Sequence, residues 1–297
     1  MRILCAADLL PKSEAAVERA AMIARRLRAH LCIVHIVASV QDERNARTAL
    51  VRIENRLGSL MESDGISPSV LLRIGNTASQ LIGVVRQIAP DLVVLGPRYR
   101  RFLCDRLGEP LAERILSDRR CPVLIVKHVT TGTYRDILLA LDLSPTAGEI
   151  IRTTESIVLE SGADTSVVHA FEPDYGALPH IPRAIESVGA ANSGERADAL
   201  RAVRHLLREH SARLIDCNLI LSVAFPAEAV LGAIKRMEPD LLVMGTSGYG
   251  RFRRALLGST ASQVLDAASR DVLVVPQGST QHIVGRSPAA RQIGAQR

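Results

Sequence analysis

The stretch LLVMGTSGYGRFRRALLGST, residues 241–260, joins an apolar strand pattern to a set of spaced glycines. Gly245 and Gly248 follow the apolar run, and Gly258 comes after nine further residues. Glycine lets the backbone approach a ligand closely because it has no Cβ, and it adopts the positive φ values that a concave set of N–H groups requires. This spacing therefore predicts a loop that binds phosphate.

The residues after the last glycine support the same interpretation. Ser259 and Thr260 open a helical pattern of apolar positions, namely Ala261, Val264, Leu265 and Ala268. The first N–H groups of a helix have no acceptor within it, and the positive end of the helix dipole attracts anions. We expect donors from the loop and from the helix to converge on one anion. In the alternative interpretation, the stretch is only a tight connection from strand to helix, and Ser259 caps the backbone.

An internal repeat determines the domain organisation. Four segments occur twice in the same order: ILCAAD and ILLALD (3–8 and 137–142), IVHI and VVHA (33–36 and 167–170), PDLVVLG and PDLLVMG (90–96 and 239–245), and VLIV and VLVV (123–126 and 272–275). We therefore predict two similar domains, residues 1–128 and 135–276, joined by a linker around VTTGTY. Residues 277–297 carry three arginines and no acidic residue, which predicts a flexible basic tail.

Short apolar runs alternate with stretches of helical spacing in each copy, which predicts an α/β fold with a parallel sheet covered on both faces. In the second copy we expect strands near 137–141, 166–171, 219–223, 241–244 and 272–275, and helices near 146–161, 195–211, 227–237 and 259–268. Ligands of such sheets bind beyond the carboxyl ends of the strands, where the strand order reverses. Asp142, Ala170 and the loop at Gly245 are predicted to share that edge.

Composition narrows the function further. The 297 residues carry a net charge of +6 but include no tryptophan, four tyrosines and four phenylalanines, which disfavours nucleic-acid binding by base stacking. The apolar runs are shorter than the roughly 18 residues that a membrane span requires. The first residues also lack a signal-peptide pattern, so we expect a cytoplasmic protein without a membrane contact. Five cysteines in no CxxC pair argue against a disulfide framework or a structural zinc site.

Three features together resemble the universal stress protein family in its tandem two-domain form. They are the aspartate after the first strand, the histidine in the second strand, and the G-x2-G-x9-G-[ST] motif after the fourth. The resemblance implies two five-stranded parallel sheets of strand order 3-2-1-4-5 with a Rossmann-like, adenine nucleotide alpha hydrolase-like fold. It implies that the fifth strands pack domain against domain, and that members with the intact motif bind ATP, with Mg²⁺ as a possible companion.

The same resemblance implies roles for individual residues of the second copy. Ala140 and Asp142 would lie beside the adenosine, with the Asp142 carboxylate accepting from ribose hydroxyls, and the Ala170 backbone would face the adenine edge. The ribose and phosphates would be lined by Met244, Gly245, Ser247 and Gly248, and the β- and γ-phosphates would accept hydrogen bonds from Gly258, Ser259 and Thr260. An alternative role for Asp142 is to cap the helix that follows it.

The first copy departs from the motif in ways that act against phosphate. Pro97 removes one N–H group, and Tyr99 replaces a glycine with a residue that resists positive φ. Glu109 and Pro110 stand where the second copy has a serine and a threonine, which brings a carboxylate toward the terminal phosphate position. We predict that the first copy does not bind ATP.

Two residue pairs recur at equivalent positions and have structural interpretations. His35 and His169 are predicted to be packed or hydrogen-bonded within the sheet. Asp91 and Asp240 each follow a proline and precede a strand, and we predict that they terminate the helices before them.

The sequence as a whole predicts an ATP-binding regulator or sensor of the stress response, with an unknown protein partner and a possible homodimer. The Gly-Lys-[ST] sequence of the P-loop does not accompany the glycine motif, so we expect at most a slow ATPase. Two alternatives stay open: an interaction scaffold that binds no nucleotide, and a nucleotide-dependent enzyme such as an adenylyl transferase.

Overall fold

The computed structural model describes residues 1–9, 11–96, 111–117, 121–127, 132–159, 162–171, 193–246 and 257–278. The first half contains β1 (Arg2–Ala6), α1 (Pro11–Leu27), β2 (His30–Val37), α2 (Glu43–Met61), β3 (Ser69–Ile74), α3 (Thr77–Ile88), β4 (Leu92–Leu95), α4 (Leu111–Ser117) and β5 (Val123–Ile125). The second half contains β6 (Asp136–Ala140), α5 (Ala147–Thr153), β7 (Asp164–Phe171), α6 (Ser193–His210), β8 (Asn218–Val223), α7 (Pro226–Met237), β9 (Leu241–Gly245), α8 (Ser259–Ala267) and β10 (Asp271–Val275). Short 3-10 turns cover Val40–Asp42 and Glu62–Asp64, and a π-helical turn, Thr154–Val158, extends α5. None of these helices carries an apolar stretch long enough to cross a bilayer.

The described strands form one ten-stranded sheet in the order β3-β2-β1-β4-β5-β10-β9-β6-β7-β8. Pairing within each half is parallel, and the strands of each half lie in the predicted order 3-2-1-4-5. The fifth strands of the two halves pair antiparallel, with Val123 opposite Val274 and Leu124 opposite Leu273. The strands that would be exposed edges of two separate sheets therefore lie at the centre of one sheet, where their backbone groups are paired.

The apolar strands are buried because helices cover both faces of the sheet. Successive residues of β1 belong to opposite core layers: Ile3 and Cys5 to one, Leu4 and Ala6 to the other. The first layer is completed by α1, α2, α5 and α6, and the second by α3, α4, α7 and α8. α7 and α8 therefore share a face, and both begin at the carboxyl edge of the sheet.

The prediction that two aspartates terminate the preceding helices is wrong. The C-cap residues of α3 and α7 are Ala89 and Glu238, whose φ values of 46° and 47° are left-handed. The Asp91 carboxylate accepts instead from the Arg2 N–H at 2.7 Å, and Asp240 binds two backbone N–H groups at the start of β6 in the same way. Both carboxylates thus fix the first strand of their half, because the strand's first N–H groups need an acceptor.

A buried polar cluster links the two halves. Arg19 of α1 donates to the carbonyl oxygen of Gly132 at 2.6 Å and lies over the ring of Tyr134, 3.9 Å from its centroid. The Tyr134 hydroxyl donates to the Asp271 carboxylate at 2.8 Å, and the Lys127 backbone N–H donates to the same carboxylate at 2.7 Å. Arg19 Nε lies 3.9 Å from Asp271 Oδ2, and both side chains are almost fully buried, 3% and 2% exposed.

The tyrosine of this cluster predicts a fall in stability at high pH. Burial, and then the neighbouring Asp271 carboxylate, raise the pKa of Tyr134 well above its usual range. Above about pH 10 the unfolded chain loses the Tyr134 proton while the folded protein keeps it, so the free energy of unfolding falls by up to about 1.4 kcal/mol per pH unit. Urea unfolding of the wild type and of Tyr134→Phe, from about pH 8 to about pH 11, measures this slope. The variant should show a shallower fall, and equal slopes would contradict the prediction.

Candidate functional site

The carboxyl edge of the second half brings together residues from three neighbouring strands. β6 lies between β9 and β7, and Ala140 is the register partner of both Met244 and Val168. Ala170 stands two residues beyond Val168 on β7, and Gly245 ends β9. The strand order reverses at β6, which makes this edge the switch point where doubly wound sheets bind ligands.

The two ends of the glycine motif meet at this edge. The Gly258 N–H donates to the Thr246 carbonyl oxygen at 2.7 Å, which closes the connection between β9 and α8. The intervening positions 247–256, with the candidate residues Ser247 and Gly248, lie outside the described residues. The hydrogen bond places the start of α8 against the end of β9.

α8 begins without a side-chain cap. Gly258 is its N-cap, with φ −65° and ψ 154°, and the Gly258 carbonyl accepts the first helical bond from Ser262 at 3.0 Å. Ser259 therefore occupies the first helical position instead of the capping position. Because the N–H group of Gly258 is already bonded, the donors that can face an anion are the first-turn N–H groups of Ser259, Thr260 and Ala261.

Asp142 is held in a fixed position in the turn after β6. Its Oδ1 accepts from the backbone N–H of Ser144 at 3.2 Å and from the Ser144 hydroxyl at 2.5 Å. That hydroxyl also lies 2.7 Å from the Thr146 hydroxyl, in a buried pair. Thr146 is the N-cap of α5, so Asp142 orders the turn before the helix and does not itself cap it. Both bonds go to Oδ1, and Oδ2 is the oxygen that can accept from a ligand.

The two recurring histidines are hydrogen-bonded, as predicted. His169 Nδ1 lies 2.9 Å from the Leu141 carbonyl oxygen, and His35 Nδ1 lies 2.7 Å from that of Ala7. Because a carbonyl oxygen only accepts, Nδ1 carries the proton in both rings. His169 thereby fixes the residue directly before Asp142. The recurrence of a histidine on equivalent strands is the sequence pattern that indicates this role in holding the neighbouring backbone.

The first half differs at the same edge. His35 corresponds to His169, so Ile36 stands where the second half has Ala170, and its side chain is buried. The departures that we predict to exclude phosphate, Pro97, Tyr99, Glu109 and Pro110, lie outside the described residues. Within the described residues, the buried Ile36 side chain is larger than the Ala170 side chain at the equivalent position.

Two doubly wound α/β halves in one sheet, with a glycine motif at the carboxyl edge of the second, define the class of protein. A model of the universal stress protein family matches residues 1–127 and 133–276. The chain belongs to this family.

Three further proteins are similar to this chain, one by sequence and two by structure. A universal stress protein of Mycolicibacterium smegmatis is 26% identical over 294 residues, which is 92% of this chain and 96% of that protein. The crystal structure of a universal stress protein from Archaeoglobus fulgidus has a TM-score of 0.64 at 19% identity and covers 93% of this chain and 96% of its own. A universal stress protein solved in complex with cAMP is similar to 50% of this chain and 100% of its own, at 20% identity and a TM-score of 0.35.

Proposed function

We propose that the second half of this universal stress protein binds ATP and that the bound nucleotide regulates the protein in the stress response. The observation that carries the proposal is the 2.7 Å hydrogen bond from Gly258 to Thr246. It holds the uncapped start of α8 beside the switch point of the sheet, opposite Asp142. A helix start in that place supplies N–H groups and a positive dipole end to an anion.

Each part of ATP has a chemically matched group in this arrangement. Ser259 and Thr260 can donate N–H groups to the β- and γ-phosphates, and Met244 and Gly245 line the ribose and α-phosphate. Asp142 Oδ2 can accept from a ribose hydroxyl, and the Ala170 backbone can bind the adenine edge. Hydrogen bonds to charged oxygens contribute about 1.5–3 kcal/mol each, so about four of them support micromolar affinity after entropic costs.

A regulatory role is supported by what lies at the other end of α8. The Lys127 ammonium group of the first half donates to the carbonyl oxygens of Leu265 and Ala268 at 3.1 and 2.5 Å. α8 therefore begins at the proposed phosphate site and ends on the first half. A ligand that orders the first turn of α8 would favour one packing of the two halves. A protein partner could recognise that packing.

We further propose that the protein acts in the cytoplasm. Binding of a protein partner and formation of a homodimer would then provide further regulation. Turnover of ATP above about 1 s⁻¹ would favour an enzyme over a regulator. Release of pyrophosphate with an acceptor would identify an adenylyl transferase. A protein that binds no ATP would be the interaction scaffold.

The deciding experiment is a calorimetric titration with ATP, in which we expect one ATP per chain. Ser259→Pro tests the phosphate donors, because proline is tolerated at the first helical position and deletes only its N–H group. Gly258, at ψ 154°, already has the conformation that a residue before proline prefers. We expect Ser259→Pro to weaken ATP binding about tenfold, which is the loss of one hydrogen bond to a charged oxygen.

Ser259→Ala is the matched control, since it keeps the N–H group and removes only the hydroxyl. Its affinity for ATP should stay within about twofold of the wild type. Both variants should melt at the wild-type temperature. If the proline variant binds as tightly as the alanine variant, the first turn of α8 does not hold the phosphates.

A further inference from the structure

We propose that the outer edge of β8 and the first turns of α6 bind an acidic, extended segment of a partner protein, which adds a strand to the sheet. This assigns both a surface and the chemistry of the segment that it recognises. The surface shares no residue with the proposed nucleotide site, so the inference does not depend on nucleotide binding.

A groove of about 360 Å³ lies between α6 and β8. Arg196, Leu200 and Arg204 line its helix side; they are four residues apart and therefore share one face of α6. Leu219 and Leu221 line its strand side, and as alternate residues of β8 they face the same side of the sheet. The leucines are half-buried and the arginines exposed. Two cationic side chains therefore flank an apolar floor.

The groove lies where α6 packs loosely on the sheet. Val203 and Leu207, in the second part of α6, are buried. None of the described side chains among the first eight residues of α6 is buried, and the eighth, Leu200, is half-buried. The equivalent helix of the first half, α2, buries both Ala46 and Leu50 within its first eight residues. The second half has therefore lost apolar packing at the position of the groove.

β8 is an end strand of the ten-stranded sheet. It pairs with β7 on one side and has no neighbour on the other among the described strands. The outward backbone N–H and C=O groups of an edge strand can pair with an extended peptide. Charged side chains and prolines commonly protect such edges, but the β8 sequence NLILSV contains neither. β3, at the opposite end of the sheet, carries Arg73.

The two arginines determine the charge of the segment. Arg201, on another face of α6, pairs with Asp198. Neither Arg196 nor Arg204 pairs with a carboxylate of the described residues. Carboxylates are the natural partners of guanidinium groups, which favours an acidic segment. A second copy of this chain, paired through the same edge, would bring its own arginines to this face of the sheet, and the repulsion of like charges disfavours it.

The spacing of the arginines matches that of an extended chain. Arg196 and Arg204 are eight residues apart, which is about 12 Å along a helix. Two residues four positions apart in a strand point to the same side and lie about 13 Å apart. Acidic residues at positions i and i+4 of an added strand can therefore reach both arginines, while the residue at i+2 faces Leu200. The expected pattern is acidic, any, apolar, any, acidic.

Fluorescence anisotropy with the full chain and a labelled peptide, TTETLTETT, tests this pattern in the absence of nucleotide. We expect saturable binding. A peptide with glutamine in place of both glutamates keeps their size and should bind about tenfold more weakly, because two exposed ion pairs are lost. No saturable binding below about 1 mM peptide, or equal binding of the two peptides, would overturn the proposal.

Protein variants locate the binding site. Replacing both groove arginines, by Arg196→Gln and Arg204→Gln, should weaken binding of the glutamate peptide about tenfold. Arg201→Gln is the matched control, since it removes an exposed arginine of the same helix outside the groove, and should leave binding unchanged. All these side chains are exposed, so the variants should melt at the wild-type temperature. Equal binding by the double variant and the control would place the peptide elsewhere and overturn the proposal.

Methylation of the peptide backbone tests strand addition. Alternate residues of an extended peptide point their N–H groups to opposite edges, and only one edge can pair with β8. N-methylation of the two glutamates and the leucine, or of the threonines between them, should therefore abolish binding in one case and preserve it in the other. Equal effects would overturn strand addition. The proposed function is decided separately, by the titration with ATP.

Discussion

Asp271→Ala is expected to lower the free energy of unfolding by about 3–5 kcal/mol, the largest stability effect that we predict for a single substitution. Asp271 is 2% exposed and lies at the start of β10, in the middle of the ten-stranded sheet. Its carboxylate accepts hydrogen bonds from Tyr134 and from the Lys127 backbone, and it is the anion beside the buried Arg19 guanidinium. Removing it takes one buried anion away from the Arg19 guanidinium and removes the acceptor of the Tyr134 hydroxyl.

The size of the effect follows from burial. A surface ion pair contributes about 0–1 kcal/mol, because water replaces the lost partner. Here the two side chains are 3% and 2% exposed, so water has little access to the guanidinium in the folded protein. The bond from Arg19 to the Gly132 carbonyl, at 2.6 Å, compensates part of its charge and keeps the expected loss within that range. The N–H of Lys127 would also lose its acceptor.

Thermal and urea unfolding, followed by far-ultraviolet circular dichroism, measure this loss. A destabilisation of about 3 kcal/mol should lower the melting temperature by about 5 °C. Asp271→Asn keeps the size and one acceptor oxygen and should lie between the wild type and the alanine variant. Asp136→Ala is the matched surface control, since its side chain is exposed, and should stay within about 0.5 kcal/mol of the wild type. A loss from Asp271→Ala as small as that of the control would contradict the buried cluster.

The same cluster shows what the sequence could not predict. The strands of the second half were expected within two residues of their observed ends, because an apolar run between helical stretches is a local signal. Asp271 looks like any aspartate in a loop before such a run, and Arg19 looks like an exposed residue of an amphipathic helix. Their contact joins residues 252 positions apart in the chain, and only the antiparallel pairing of β5 with β10 brings them together.

The candidate site was partly predictable for the same reason. The glycines, the start of α8 and Asp142 are local patterns with a known chemical meaning. The acceptor that closes the loop is the Thr246 carbonyl. Every residue has a backbone carbonyl, so the sequence does not indicate which one accepts this bond.

Asp142→Ala is expected to weaken ATP binding about 100-fold, while Asp8→Ala leaves it unchanged. The two aspartates follow the first strands of the two halves. Comparing their alanine variants therefore tests whether only the second half binds the nucleotide. Asp142 Oδ1 is bonded to Ser144, which leaves Oδ2 for the proposed contact with the ribose. One hydrogen bond to a charged group contributes about 1.5–3 kcal/mol, and the upper value corresponds to about 100-fold.

Asp142→Asn separates the role of the carboxylate in the turn from its role in binding. The amide oxygen can still accept from Ser144, so the turn and the melting temperature should be preserved. The amide nitrogen would face the ribose and cannot accept a hydroxyl proton, so ATP binding should fall almost as far as in the alanine variant. Calorimetric titration of the four proteins with ATP measures both affinity and stoichiometry. Two ATP molecules per chain in the wild type, or equal losses from Asp8→Ala and Asp142→Ala, would show that both halves bind the nucleotide.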